Sequence, residues 1–192
     1  MRRTAIFCAA LAAFPAFAAP VEIHFAPAEN LEHIDVAMLA SARRSIDLAA
    51  YSLADRAVAQ ALDAAIARGI GVRILVDASQ RHAAEDLYGL ADAIRVKRPG
   101  PIMHLKAYVI DGEALRTGSA NFSGSGLKQQ DNDLLILRDG KTAAAFEAKF
   151  EEMWAVAVPY DADRFSDRAG EPSRRQARVA QPALAAVQQP TP

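Results

Sequence analysis

Residues 103–121 constrain this chain more than any other stretch. Ala107-Tyr-Val-Ile110 is aromatic and β-branched, and Asp111-Gly112 follows it as a tight-turn signal. The pattern predicts a strand over 103–111, a turn, and a partner strand from Glu113 to Thr117. Side chains on a strand alternate between faces, so His104 and Lys106, two apart, share one. Gly118-Ser119-Ala120-Asn121 leaves the end of the partner strand, with Ser119 and Asn121 again two apart. One hairpin can therefore bring an imidazole, an ammonium, a hydroxyl and a carboxamide into one compact region.

Either half alone says little. A His-x-Lys pair on a strand ordinarily marks a solvated face, and Gly-Ser-x-Asn ordinarily marks a turn. Both halves at this spacing point to phosphate chemistry. A phosphodiester resists attack because it is anionic. A catalyst needs a nucleophile, positive charge on the non-bridging oxygens and an acid for the leaving oxygen. Imidazole supplies the first and third near neutral pH, Lys a point charge, and Ser and Asn neutral donors.

The rest of the chain alternates strands with helices. Val21 to Phe25, Ser45 to Tyr51, Val72 to Val76, Ile94 to Lys97 and Leu134 to Leu137 read as strands, Val72 to Val76 as one buried on both faces. Leu31, Ile34, Met38 and Leu39 recur at helical spacing, as do Val58, Leu62 and Ile66, with Gly69 just past the second helix. Residues 82–93 carry a weaker helical pattern. After an Asp139-Gly140 turn, Lys141 to Val158 reads as a helix whose Phe146, Phe150, Met153 and Trp154 are core residues. The expected fold is α/β, a mixed β-sheet flanked by helices on both faces.

The ends differ from the middle. Met1-Arg2-Arg3, an apolar run from Ala5 to Phe14, and Ala16-Phe17-Ala18 form a secretory signal peptide over residues 1–18, and hence a periplasmic or secreted product. Cys8, the single cysteine, lies inside it, so the processed chain has no thiol. Cleavage leaves 20 basic against 23 acidic residues and moves the net charge from −1 to −3. A nucleic-acid ligand would need a local basic cleft, for which Arg81, His82, Arg95, Lys97, Arg98 and Lys128 are the candidates. Residues 161–192 are rich in Pro, Ala and Gln and read as a disordered tail, which leaves 19–160 as the folded domain. No segment of the processed chain is apolar enough for stable membrane insertion.

The pattern His104-x-Lys106-x4-Asp111-x6-Gly118-Ser119-x-Asn121 resembles the signature of the phospholipase D superfamily at every defined position. Phe25-Ala-Pro27, Ala49-Ala-Tyr51-Ser52 and Arg68-Gly69 through Asp77 extend the resemblance to the small, single-motif, nuclease-type members. That resemblance implies a metal-independent phosphodiesterase with no cofactor. His104 would form a phosphohistidine, a second histidine would protonate the leaving group, and Lys106, Ser119 and Asn121 would bind the phosphate. Asp111 and Gly118 would be structural.

Family members usually carry a downstream carboxylate that orients the nucleophilic histidine. The single-motif nucleases often have Glu-Asn where a gapless count gives Asn132-Asp133. Asp133, just before the Leu134 strand, is the first candidate and Asp131 the second. His24, His33 and His82 lack the motif, so the second histidine implies a homodimer with a shared site. The implied substrate is nucleic acid. A phospholipid is the alternative, and a non-catalytic nucleic-acid-binding module a further one.

Overall fold

A computed structural model describes residues 21–80, 88–97 and 100–161. Eight strands form one sheet: β1 Val21–Ala26, β2 Ser45–Ala50, β3 Gly71–Val76, β4 Ile94–Val96, β5 Lys106–Ile110, β6 Ala114–Gly118, β7 Asn132–Leu137 and β8 Val158–Pro159. Four helices accompany them: α1 Leu31–Ser41, α2 Arg56–Ala67, α3 Gly124–Lys128 and α4 Gly140–Val156. The strand order is β1-β7-β6-β5-β2-β3-β4-β8. Pairs β2–β3 and β3–β4 are parallel, and every other pair is antiparallel. The sheet is therefore mixed, as expected.

The two-residue period of the strands sorts the core into two layers. Ile46, Leu48, Ala50, Ile74, Val76, Tyr108, Ile110, Leu134 and Ile136 pack with α1 and α2 on one face. Ala49 and Leu75 meet Phe150 and Met153 of α4 on the other, where Ala107, Val109 and Leu115 meet Ala143. Helices thus cover both faces, as the alternating pattern predicted. Among the described residues no helix is long and apolar enough to cross a membrane.

Side-chain caps start the helices. Asn30 accepts from the N–H groups of Glu32 and His33, and Asp55 from those of Ala57 and Val58. Asp139 does the same for Lys141 and Thr142. The Asp139-Gly140 pair is thus the start of α4 and not a free-standing turn. α4 ends at Val156, which releases Val158 to pair with Val96. β3 is buried only over its last three residues. Its Arg73 instead reaches across the surface to Asp47 and Glu151. Of the weak helix expected over 82–93, residues 88–93 form a 3-10 helix and 81–87 lie outside the described residues. The expected signal peptide, and all of the tail except Asp161, lie outside them too.

Candidate active site

The motif hairpin is central in the sheet and opens at one end of its strands. Tyr108 pairs with Arg116, so the same register carried two residues further sets Lys106 against Gly118. Gly118 in turn pairs with Leu134 of β7. The start of β5, the end of β6 and the start of β7 therefore lie side by side. β5 begins at Lys106 and not at residue 103, because β2 beside it ends at Ala50. His104 lies just ahead of the strand. The ladder nevertheless continues past it, since Tyr51 N–H donates to Leu105 O at 2.7 Å.

Lys106 and His104 meet as the two-residue spacing requires. Lys106 Nζ lies 2.9 Å from His104 Nδ1 and 2.7 Å from His104 O. Tyr51 backs both: its ring centroid is 4.4 Å from that of the imidazole and 4.8 Å from Lys106 Nζ. Lys106 is 6% exposed, and burial pulls its pKa below the usual lysine value. No carboxylate among the described residues pairs with it, so its charge is uncommitted. The exposed imidazole has Nδ1 engaged, while Nε2 has no hydrogen-bond partner among the described residues.

Asn121 is the complementary donor. Its amide oxygen is buried without a hydrogen-bond partner. Buried polar groups are nearly always satisfied. This orphaned oxygen is an acceptor and calls for a donor, while the NH2 of the same amide is the group that can donate to an anion. Ser119 is already engaged. Its hydroxyl donates to Asn132 Oδ1 at 3.0 Å and accepts from Asp133 N–H at 2.9 Å. Asp133 Oδ1 accepts from Ser119 N–H at 3.1 Å. Among the described residues neither Asp133 nor Asp131 hydrogen-bonds to His104. What Asp133 holds is Ser119.

The two remaining motif residues act on the backbone. Asp111 occupies the turn at φ 57°. Its carboxylate accepts from the N–H groups of Arg43, Arg44 and Ser45, at 2.7 Å from Arg44, which ties the hairpin tip to the entry of β2. Burial opposes its charge, but these three backbone donors outweigh burial and its pKa is lowered. Gly118 adopts φ 138°, and a Cβ there would lie 2.4 Å from Asp133 O. Only glycine lets β6 approach β7 so closely.

Four residues were given no role at the site by the sequence reading. Tyr51 is one. The others are Arg116, Asp35 and Tyr108, all fully buried. Arg116 Nε and Nη2 each donate to Asp35 at 2.9 Å, and Tyr108 OH donates to the same carboxylate at 2.9 Å. Burial raises the pKa of both Asp35 and Tyr108. A signal was present. Leu31, Asp35, Met38 and Leu39 form the buried stripe of α1, so Asp35 stands on its apolar face.

The proposed basic cleft is only partly testable. Arg81, His82 and Arg98 lie outside the described residues. Lys128 pairs with Glu32 and Asp55, and the Arg95 guanidinium sits 4.4 Å over the Trp154 ring while donating to Trp154 O. Lys97 Nζ donates to Pro101 O at 2.6 Å. His24 pairs with Glu29, as a satisfied surface histidine would. A cleft of about 640 Å³ between α4 and β2–β3 lies away from the motif, and its Arg73 is already paired. Among the described residues no group of three or more His, Cys, Asp or Glu could hold a metal ion.

Residues 36–154, which include Tyr51 and the whole motif from His104 to Asn121, match the family described as cardiolipin synthase, PLD-like domain. The chain belongs to the phospholipase D family. Members of that family are phosphodiester hydrolases. Among curated relatives it is 27% identical over 135 residues to mitochondrial cardiolipin hydrolase of Xenopus tropicalis, covering 68% of this chain and 64% of that one. It is 31% identical over 126 residues to phospholipase D of Rickettsia prowazekii, covering 64% and 62%. The chain thus spans a little under two thirds of either relative. Among solved structures, the phospholipase D family member Nuc from Salmonella typhimurium superposes with a TM-score of 0.69 at 25% identity. That match covers 73% of this chain and 97% of Nuc. NucT from Helicobacter pylori shares the fold, with a TM-score of 0.68.

Proposed function

We propose that this chain is a metal-independent phosphodiesterase, an exported endonuclease working through a phosphohistidine at a site shared by two copies. The observation that carries the reading is the buried Lys106 ammonium, which meets His104 Nδ1 and has no carboxylate partner among the described residues, on the hairpin arm opposite the one that leads to Asn121. For Nε2 to attack, it must hold the lone pair, so the ring proton resides on Nδ1. Lys106 must then exchange Nδ1 for a non-bridging phosphate oxygen. Asn121 takes another oxygen, and Asp133 keeps Ser119 at the edge of the pocket. The new Nε2–P bond forms as the bond from phosphorus to the leaving oxygen breaks. An acid protonates that oxygen, and water then cleaves the Nε2–P bond. His104 cannot be both nucleophile and acid in one step, and the family resemblance implies a second histidine, so we assign the acid to the imidazole of a second copy. The likeness to Nuc, a phospholipase D family member, over 97% of its length supports a compact domain of this family.

A lipid phosphodiester is the second reading, and one observation favours it. Ile102 and Leu105, which flank His104, are 66% and 36% exposed, an apolar rim suited to acyl chains. Relatives named phospholipase D and cardiolipin hydrolase point the same way. Rapid acid-free quenching after one turnover separates the readings, using labelled oligonucleotide and labelled phospholipid in parallel. The nuclease reading expects label on His104 from the oligonucleotide. Label from lipid alone transfers the assignment to the second reading, and no label with no burst from either contradicts the covalent scheme.

A further inference from the structure

Lys106 and Asn121 reach the site from opposite arms of the hairpin. Their spacing must hold to a fraction of an ångström for both to engage one phosphate. Their own side chains do not set it, since the Asn121 amide oxygen has no partner and, among the described residues, the Lys106 ammonium has its polar contacts in His104 and lies over the Tyr51 ring. A single guanidinium bridges the backbone of both. Arg116 Nη1 donates to Lys106 O at 2.8 Å and to Ala120 O at 3.3 Å, the carbonyl of the peptide that ends in Asn121 nitrogen. Its other face is clamped by Asp35, and Phe122 closes it from one side at 4.5 Å.

A buried ion pair is a poor source of stability. Apolar side chains of similar volume commonly serve as well or better. What they cannot do is hold two carbonyls at a set separation, which a rigid, planar, many-donor fork can. We propose that Arg116 is a positioning residue of the active site, anchored to α1 by Asp35, which fixes the distance between the phosphate-binding groups Lys106 and Asn121. The inference rests on the assignment of those two residues to phosphate.

Arg116→Lys is the direct test. The ammonium still meets Asp35 but cannot span both carbonyls. Misplacement on the order of 1 Å costs roughly 100-fold in rate, so kcat of the folded variant should fall about 10- to 100-fold. The loss should appear in kcat more than in KM, because the groups remain present and are misaligned. A second variant, Asp35→Leu/Tyr108→Phe/Arg116→Met, replaces the network with apolar volume. It should keep the cooperative fold and still lose kcat. Restored stability without restored turnover is an outcome a merely structural arginine does not give. Lys106→Ala and Asn121→Ala belong beside them. If those two retain wild-type kcat, the phosphate assignment falls and the inference with it. If they abolish turnover while Arg116→Lys or the apolar triple variant works at the wild-type rate, the inference alone falls. Failure of both Arg116 variants to fold would overturn it as well, by making Arg116 a stability residue.

Discussion

Replacing Gly118 by alanine should be the costliest single methyl group that can be added to this hairpin. Two terms contribute. At φ 138° an L side chain is strained, which costs on the order of 1–3 kcal/mol. The added Cβ also meets Asp133 O at 2.4 Å, Asp133 C at 3.0 Å and Leu134 Cα at 3.1 Å. These are backbone atoms of the paired strand, so relief requires β6 and β7 to part. Overpacking of that kind costs about 1–3 kcal/mol. The sum, about 2–6 kcal/mol, is a large share of the roughly 5–15 kcal/mol typical of a domain. Gly69→Ala is the control. It shares a positive φ of 82° but has nothing within 4 Å, so only the conformational cost of about 1 kcal/mol applies. Urea unfolding at constant m measures both. Gly118→Ala should shift the midpoint clearly further. Equal shifts would show that the close approach of β6 to β7 does not govern this position.

Asp111→Asn keeps a residue that tolerates the left-handed turn but loses acceptor capacity toward Arg43, Arg44 and Ser45, so it should cost about 1–3 kcal/mol at neutral pH. Because the folded pKa of Asp111 is lowered, its stabilisation is fully present above the unfolded value of about 3.9 and fades as pH falls through the folded one. The gap between wild type and variant should therefore close in acid, and a pH-independent gap would refute the carboxylate's role. If Lys106 binds phosphate as proposed, only its ammonium form does so, and burial lowers its pKa, so activity should fail on the alkaline side before the ordinary lysine value of about 10.4. Lys106→Arg should move that limb upward in whatever rate remains, and an unmoved limb would place the titrating group elsewhere. EDTA should leave the rate unchanged, and loss reversed by a divalent ion would count against the mechanism. Sedimentation at assay concentration should find a dimer, and a fully active monomer would remove the second imidazole from the scheme.

Residues 103–121 showed their hairpin in sequence because turn chemistry and strand alternation are local signals. The meeting of His104 and Lys106 followed from their two-residue spacing. Other features depended on long-range partners. β8 is two residues long and ends on a proline, and it is a strand only because β4 offers an edge. Asp139 looks the same in sequence whether it starts a turn or caps a helix. Lys128 and Arg95 read as free cations, yet Glu32, Asp55 and Trp154 had already claimed them. A gapless count could suggest a carboxylate at 133, but not that its side chain would close on Ser119 N–H. The buried network of Asp35, Tyr108 and Arg116 was half legible. A charge on the apolar stripe of α1 requires a partner, but nothing local says that the partner lies 81 residues away.

The most direct measurement is a substrate panel run with EDTA present: single-stranded DNA, duplex DNA, RNA, and phosphatidylcholine and cardiolipin dispersions, each with wild type and His104→Ala. The account predicts cleavage of nucleic acid that vanishes in the variant. Turnover of lipid with no cleavage of nucleic acid, or cleavage that survives His104→Ala, would contradict it.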